Sequence, residues 1–445
     1  MSEASGGVLA LMGSGETSPT MVTAHQRLAA RLGPAPSAVI LETPYGFQVN
    51  TVDISRRARE YFQRSVGLAT VVAAEPDPSD GPGCRRAADQ VRAADWVFTG
   101  PGSPSYALGR WAAVHLGEAL AERLRRRAGV TVLASAAACT AGFAALPVYE
   151  IYKAGRPPHW LDGLDLLGGL GLPVAVIPHY DNAEGGTYDT RFCYLGETRL
   201  SALAKRLPQG SAVLGIDEHT SVIIDLALSE VQVWGRGAVT VRRGDASTVL
   251  PSGSVFPLAH LQDLVHGTAK QGAHSADAAT VTSAATIPGP TSPADRATGP
   301  VPLQQAVADA RQAFAAAELA ADADAMVEAV LGLESTIAAW AMDTEEDQGT
   351  DWARDTLREL IQRLAEPAAR GLIEPERTLQ TLAGPLVDLR ATFREQGAYD
   401  LADRVRDLLC AAGVVLRDTG RTTLWQLAGT QDPDLWRRAS SRTGS

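Results

Sequence analysis

Residues Thr131 to Gly142 read TVLASAAACTAG. Four apolar or β-branched residues run into Ser135, and small residues with Cys139 among them continue beyond it. A buried strand meeting the start of a helix gives this pattern. The junction has two readings. In one, Ser135 caps the helix 136–145 and satisfies its first free N–H groups. In the other, Ser135 is a nucleophile on a sharp strand-to-helix turn, where small neighbours let backbone and helix approach closely. Ala134, Ala136, Ala137 and Ala138 are small, but none is a glycine.

The same alternation runs outward on both sides. VLALM (8–12), AVILE (38–42), TVVAA (70–74), WVFT (96–99), TVLA (131–134) and AVIP (175–178) are strand candidates. Between them, AHQRLAARL, DISRRAREYFQRS, CRRAADQVRAA and LGEALAERLRRRA have helical spacing. Apolar strands alternating with helices imply a mostly parallel, doubly wound α/β sheet of flavodoxin-like type, covered on both faces. SAVLGID, TSVIIDLAL and AVTVRR follow more closely on one another and are expected as antiparallel additions at an edge.

Composition divides the rest. The predicted α/β domain covers 1–265. Residues 266–301 are rich in Ala, Ser, Thr, Pro and Gly without an apolar period, which predicts a flexible linker. From 302 to 430 the spacing is helical throughout and predicts an all-α bundle, followed by a disordered tail over 431–445. The bundle contains no lysine, and its acids outnumber its arginines.

The chain has 445 residues, a net charge of -11 and four cysteines, Cys84, Cys139, Cys193 and Cys410. No CxxC or Cys/His spacing occurs, so neither a metal site nor a cofactor is expected, and a reducing, cytoplasmic setting is. No stretch is apolar for long enough to cross a membrane, and the N-terminal run lacks a basic lead. The acidic balance argues against a protein that coats nucleic acid.

In a doubly wound sheet, ligands collect beyond the carboxyl ends of the strands. Three further stretches end there. WVFTGPGSPSYAL (96–108) offers amides around Gly100 and Gly102 to a developing oxyanion. VAVIPHYDN (174–182) places His179 just past a strand, as a candidate base. PVYEIYKAG (147–155) places Glu150 and Lys153 about one helix beyond the serine.

Taken in order, GSGE (13–16), VFTGPGSP (97–104), LASAAA, the PHY around His179, TRFCYLGETRL and GIDEHTSVIIDL (215–226) resemble the cyanophycinase and dipeptidase E family of serine peptidases. That family has a class I glutamine amidotransferase-like fold, and the resemblance covers about 7–260. It implies Ser135 as nucleophile, His179 as general base, Glu150 as the acid that orients the histidine, and Gly100, Gly102 and Ala136 as the oxyanion hole. It also implies hydrolysis of a peptide or amide bond in a small substrate, acidic or isoaspartyl in kind.

Two departures matter. The family has Ser-Ala-Gly-Ala where this chain has Ser135-Ala136-Ala137-Ala138, and NAEGGTYD (182–189) interrupts its arginine cluster. A catalytically inactive binding or scaffold protein is therefore one rival reading. A glutamine amidotransferase using Cys139 is the other, although Cys139 lies a helical turn past the strand end. Asp217 and Glu218 compete with Glu150 for the role of orienting acid.

Residues 386–427 resemble the C-terminal helical part of cysteinyl-tRNA synthetases, and the helices from 302 fit the same bundle. Leu389, Arg390, Tyr399, Ala402, Asp403, Arg406, Asp407, Leu408, Gly413, Val414, Asp418, Thr419 and Trp425 carry that pattern. HIGH and KMSKS motifs are absent, so aminoacylation is not expected of these residues. The bundle is expected to dock or oligomerise, as in a homo-oligomer, rather than to bind nucleic acid.

Overall fold

The computed structural model describes residues 7–73, 79–183, 188–269, 301–320, 322–341, 343, 349–372, 375–419 and 422–427. Residues 270–300 of the expected linker, and the whole of the expected tail, lie outside these. The chain divides into two compact units, 1–309 with 332–354 and 310–331 with 355–445.

Strands of the first unit are numbered along the chain. They are β1 (Val8–Met12), β2 (Ala38–Leu41), β3 (Val71–Ala73), β4 (Trp96–Thr99), β5 (Val130–Ala134), β6 (Ala144–Ala145) and β7 (Leu161–Asp162), then β8 (Val174–Ile177), β9 (Ala212–Ile216), β10 (Thr220–Asp225), β11 (Glu230–Gly235), β12 (Ala238–Arg243), β13 (Ala246–Pro251) and β14 (Val255–Pro257). One sheet runs β14-β11-β10-β1-β5-β4-β2-β3, and its last five members are parallel. The second runs β13-β12-β9-β8-β6-β7, with β8 parallel to β9.

Each central strand is apolar on both faces because both faces are covered. Leu9, Leu11, Val39, Leu41, Val97 and Leu133 face one core, shared with the helices Gly81–Ala93, Pro104–Val114 and Leu116–Arg125 and with the second sheet. Their alternates Val8, Ala10, Met12, Ile40, Trp96 and Val132 face another, closed by Val22–Ala29 and Thr51–Tyr61. Strand alternation sends successive side chains to opposite faces, so only unbroken apolar runs fill both. Each large side chain removed from water contributes about 2–3 kcal/mol.

The expected strands are present, but their partners differ at the C-terminal side. The stretch AVIP belongs to the second sheet through β8. SAVLGID forms β9, which lies inside the second sheet, antiparallel to β12 on one side and parallel to β8 on the other, and not at an edge. TSVIIDLAL forms β10, antiparallel beside the central β1. Periodicity identifies a strand, but not which neighbour its backbone will find.

The two sheets meet closely at their carboxyl edges. A Cβ on Gly13 would lie 2.1 Å from the Asp217 carbonyl oxygen, so only glycine lets β1 end so near β9. Ser135 N–H donates to the Met12 carbonyl at 3.0 Å, and His179 N–H to the Gly13 carbonyl at 3.3 Å.

The second unit contains helical residues from 310–331 and 355–411, and the last of its described residues form a hairpin, Val414–Thr419 against Thr422–Leu427. An all-α reading of 302–430 misses that hairpin. In VVLRDT, Val414 and Leu416 turn inward while Val415 and Arg417 stay exposed, a period of two carried by too few residues to stand out after long helices.

Arg123 fixes the helix beside β5. It is fully buried, its pKa lowered by that burial to about 10, and its guanidinium donates to the carbonyls of Val91, Ala94 and Val130. Replacing it leaves those carbonyls unsatisfied. Arg123→Ala should destabilise the protein by about 3–5 kcal/mol, read as a lower midpoint in urea unfolding. A midpoint within about 0.5 kcal/mol of the parent would mean that the buried guanidinium adds nothing net.

Candidate active site

Ser135 follows β5 with φ 47° and ψ −117°. A non-glycine residue in that conformation costs about 1–3 kcal/mol and is retained only where its surroundings impose it. The surroundings are visible. The preceding strand lies between two parallel neighbours, the Ser135 N–H is tied to Met12, and the short helix Ala136–Cys139 starts at once with every residue buried. The positive φ falls on the serine, and Ala137 is packed in the core, so the turn is made without a glycine.

The Ser135 side chain makes no cap bond to its helix. Its Oγ lies 3.0 Å from His179 Nε2. His179 follows β8, also at positive φ (49°), and its Nδ1 lies 2.9 Å from Glu218 Oε1. Glu218, which follows β9, accepts a second bond from Asn182 Nδ2 at 3.0 Å, and its own N–H donates to Asp181 Oδ1 at 2.7 Å. Serine, imidazole and carboxylate thus form one hydrogen-bonded chain across three strand ends.

Glu150 is not brought to His179. It takes the Ser105 hydroxyl bond at the start of the helix Pro104–Val114. Of the competing acids, Asp217 accepts from the Ala238 N–H at 2.8 Å, and Glu218 reaches the histidine. Asn182 was not singled out in the sequence. Its signal is position only, three residues past His179.

The electrostatics separate the acids. Burial alone would raise the Glu218 pKa, but the bond to His179, the imidazole's charge and Asn182 outweigh it and draw the carboxyl down to about 2. Asp217 moves the other way, to about 6, through burial and then the charge of Asp181. Burial raises Asp181 as well.

The serine opens on a cavity of about 1070 Å³ whose lining includes Ser14, Pro101, Gly102, Ala136, Tyr149, Lys153 and Arg236. Gly102 has φ 131°, and a Cβ there would lie 2.0 Å from the Pro44 carbonyl oxygen. Among the described residues, no carbonyl accepts from the Gly102 or Ala136 N–H. Gly100 contributes differently, its carbonyl accepting from the Ala137 N–H at 3.3 Å.

Cys139 also lines the cavity, but it is buried and its Sγ is held between the N–H and the carbonyl of Leu146. Burial pushes its thiol up to about 12, which disfavours a thiolate. Arg191, from the expected arginine cluster, is paired with Asp189 and partly exposed. Among the described residues, no group of His, Cys, Asp and Glu has a metal-holding arrangement, and no helix is long and apolar enough to cross a membrane.

No protein-family model matches this chain. Two curated relatives match a short part of it. They are the cysteine–tRNA ligases of Aeropyrum pernix, 45% identical over 53 residues, and of Staphylothermus marinus, 42% identical over 52. Each match covers 12% of this chain, and the chain spans only 11% of the relative's length. Among solved structures, a peptidase from an acI-B1 Actinobacterium is similar at 20% identity and a TM-score of 0.43, over 57% of this chain and 97% of that one. A putative peptidase E protein from Listeria monocytogenes EGD-e is similar at 12% identity and a TM-score of 0.34, over 55% of this chain and 98% of that one.

The raised Asp217 pKa makes stability depend on pH. The folded protein holds a proton there that the unfolded chain, at 3.8, has already released. That contribution is present below about pH 4 and is lost as pH rises through about 6. Asp217→Asn keeps an acceptor for Ala238 and removes the charge. Its melting temperature should exceed the parent's at pH 8, and the gain should shrink towards pH 4. An equal gain at both pH values would show that Asp217 does not titrate in this window.

Proposed function

We propose that the chain is a serine hydrolase that cleaves a peptide or amide bond in a small substrate. The observation that carries this reading is the strained Ser135, hydrogen-bonded to His179, which is hydrogen-bonded in turn to Glu218.

A serine hydroxyl is a weak nucleophile until a base takes its proton. His179 Nε2 accepts that proton as Oγ attacks the substrate carbonyl carbon. Glu218 holds the proton on Nδ1, fixing the tautomer in which Nε2 is free to accept, and stabilises the imidazolium that forms. The negative charge that develops on the carbonyl oxygen is met by the Gly102 and Ala136 N–H groups. His179 then returns the proton to the leaving amine, and water hydrolyses the acyl-serine by the same steps. Lys153 and Arg236, both in the cavity lining, suit a substrate that carries a carboxylate. The thiol reading is less favoured, because the Cys139 sulfur is held by the Leu146 backbone and burial disfavours its thiolate.

A fluorophosphonate probe tests the reading directly. It should label the parent chain, and Ser135→Ala should abolish labelling. Glu218→Gln should slow it by about 10²–10⁴-fold, the cost of losing the tautomer-fixing carboxylate. Glu150→Gln should change it far less. A folded but unreactive parent would instead support a binding protein that has kept the fold. For a reactive parent, a screen of acidic and isoaspartyl dipeptides then narrows the substrate.

Nucleic-acid binding by the second unit is not part of this proposal. Arg390, Arg394, Arg404 and Arg406 are the nearest approach to a basic cluster; the first two pair with Asp418, and Asp403 and Asp407 flank the others in sequence. In a gel-shift titration of the full chain with bulk tRNA at low salt, no micromolar complex is expected. Binding that tightens steeply as salt is removed would overturn that expectation.

A further inference from the structure

The cavity in front of Ser135 is not walled by the two sheets alone. Pro302, Leu303 and Gln304, and then Trp340, Gly349 and Trp352, also line it. All of them come after the Pro/Ser-rich stretch, yet belong to the same compact unit as the sheets.

This second wall is anchored at three points. The Trp340 indole stands edge-on to the His219 ring, with centroids 5.5 Å apart and planes at 88°. The Thr17 hydroxyl donates to Asp343 Oδ1 at 2.9 Å, and the Arg57 guanidinium donates to the Asp343 carbonyl at 2.8 Å. His219 directly follows Glu218, so the wall rests on the turn that delivers the carboxylate to His179.

The two indoles differ in exposure. Trp340 is buried, at 5%, whereas Trp352 keeps 44% of its surface uncovered. An indole that lines a cavity and stays half uncovered offers area that a ligand's apolar group can cover. Tyr149, Tyr152 and Tyr188 add further rings to the lining, with Tyr152 stacked on Tyr194 at 4.8 Å and its hydroxyl 2.8 Å from that of Tyr188.

We propose that Trp352, braced by Trp340, is a specificity-determining residue that receives an aromatic or bulky apolar side chain of the substrate next to Ser135. The proposal rests on the serine hydrolase reading for its reaction, and on the cavity for its recognition. It makes the segment beyond the linker part of the substrate site, in place of a separate docking element.

The test uses the full chain and two fluorophosphonates, one with a methyl tail and one with a phenylalkyl tail. The parent should favour the phenylalkyl probe by about tenfold, a discrimination typical of an apolar pocket. In Trp352→Ala the ratio of the two rate constants should collapse towards one, and Trp352→Phe should restore most of it. A purely structural role for the indole would slow both probes alike and leave the ratio unchanged, which would overturn the proposal. Trp340→Ala should reduce the same ratio, and Trp340→Phe stands in for it if the alanine variant fails to fold. If the parent reacts with neither probe, the reading of Ser135 fails. The subsite is then judged by saturation-transfer NMR with N-acetyl-phenylalanine amide against N-acetyl-glycine amide. Preferential binding of the aromatic amide that is lost in Trp352→Ala sustains the proposal, and equal binding of the two overturns it.

Discussion

The hydrogen bond from the Ser135 N–H to the Met12 carbonyl is the contact on which the site's geometry turns. It continues the parallel ladder between β5 and β1 by one residue beyond the last pleated pair, Met12 with Ala134. The chain must then leave the sheet and enter a helix at once, and the serine takes the left-handed φ that this requires. A strained residue persists only where its neighbours are fixed, and both flanking strands are buried on both faces. The sheet therefore does more than display the hydroxyl. It supplies the packing that offsets a conformation the isolated segment would not adopt.

The second constraint is electrostatic. Three carboxyls, Asp181, Asp217 and Glu218, crowd one strand edge, and not all of them can be charged cheaply in a half-buried setting. The imidazole resolves the competition. Glu218 has His179 and Asn182 as partners and keeps its charge, while Asp217 has a single backbone donor and is pushed towards protonation. His219, half-buried and lowered by desolvation to about 4, adds no positive charge at neutral pH to disturb that allocation. The carboxylate bonded to the imidazole is thus also the one most firmly held ionised.

Sequence made Ser135 and His179 legible because each is announced locally, by an apolar run that ends in a residue with chemistry. Ala137 shows the limit of motif reasoning, since the glycine looked for at the elbow is not needed when the positive φ sits on the serine itself. The carboxylate that meets His179 was not separable by local reading. Glu150, Asp217 and Glu218 all follow apolar or helical stretches, and choosing among them requires knowing that β9 pairs parallel to β8. That pairing joins residues almost forty positions apart, and no periodicity encodes it. The aromatic wall was hidden for a similar reason. Trp340 and Trp352 occupy helical stretches, where an indole reads as bundle core, and only the tertiary arrangement sets them before the serine.

In the second unit the same logic bears on what a sequence pattern means. Arg390 and Asp418, two of the residues that carry the likeness to a synthetase C-terminal region, are bonded to each other through both guanidinium NH groups, at 2.7 and 2.8 Å. Arg390 is buried, at 3%, so its charge would be costly if unpaired. Thr423 bonds both partners, and Arg394 adds a second ion pair to Asp418. These contacts staple the hairpin to the helix Pro375–Glu395, alongside a small apolar cluster of Ala383, Val387, Leu409 and Val414. A pattern kept by such contacts is explained by the packing of the unit itself. Arg390 is committed to Asp418 within the unit, so its place in the pattern follows from packing.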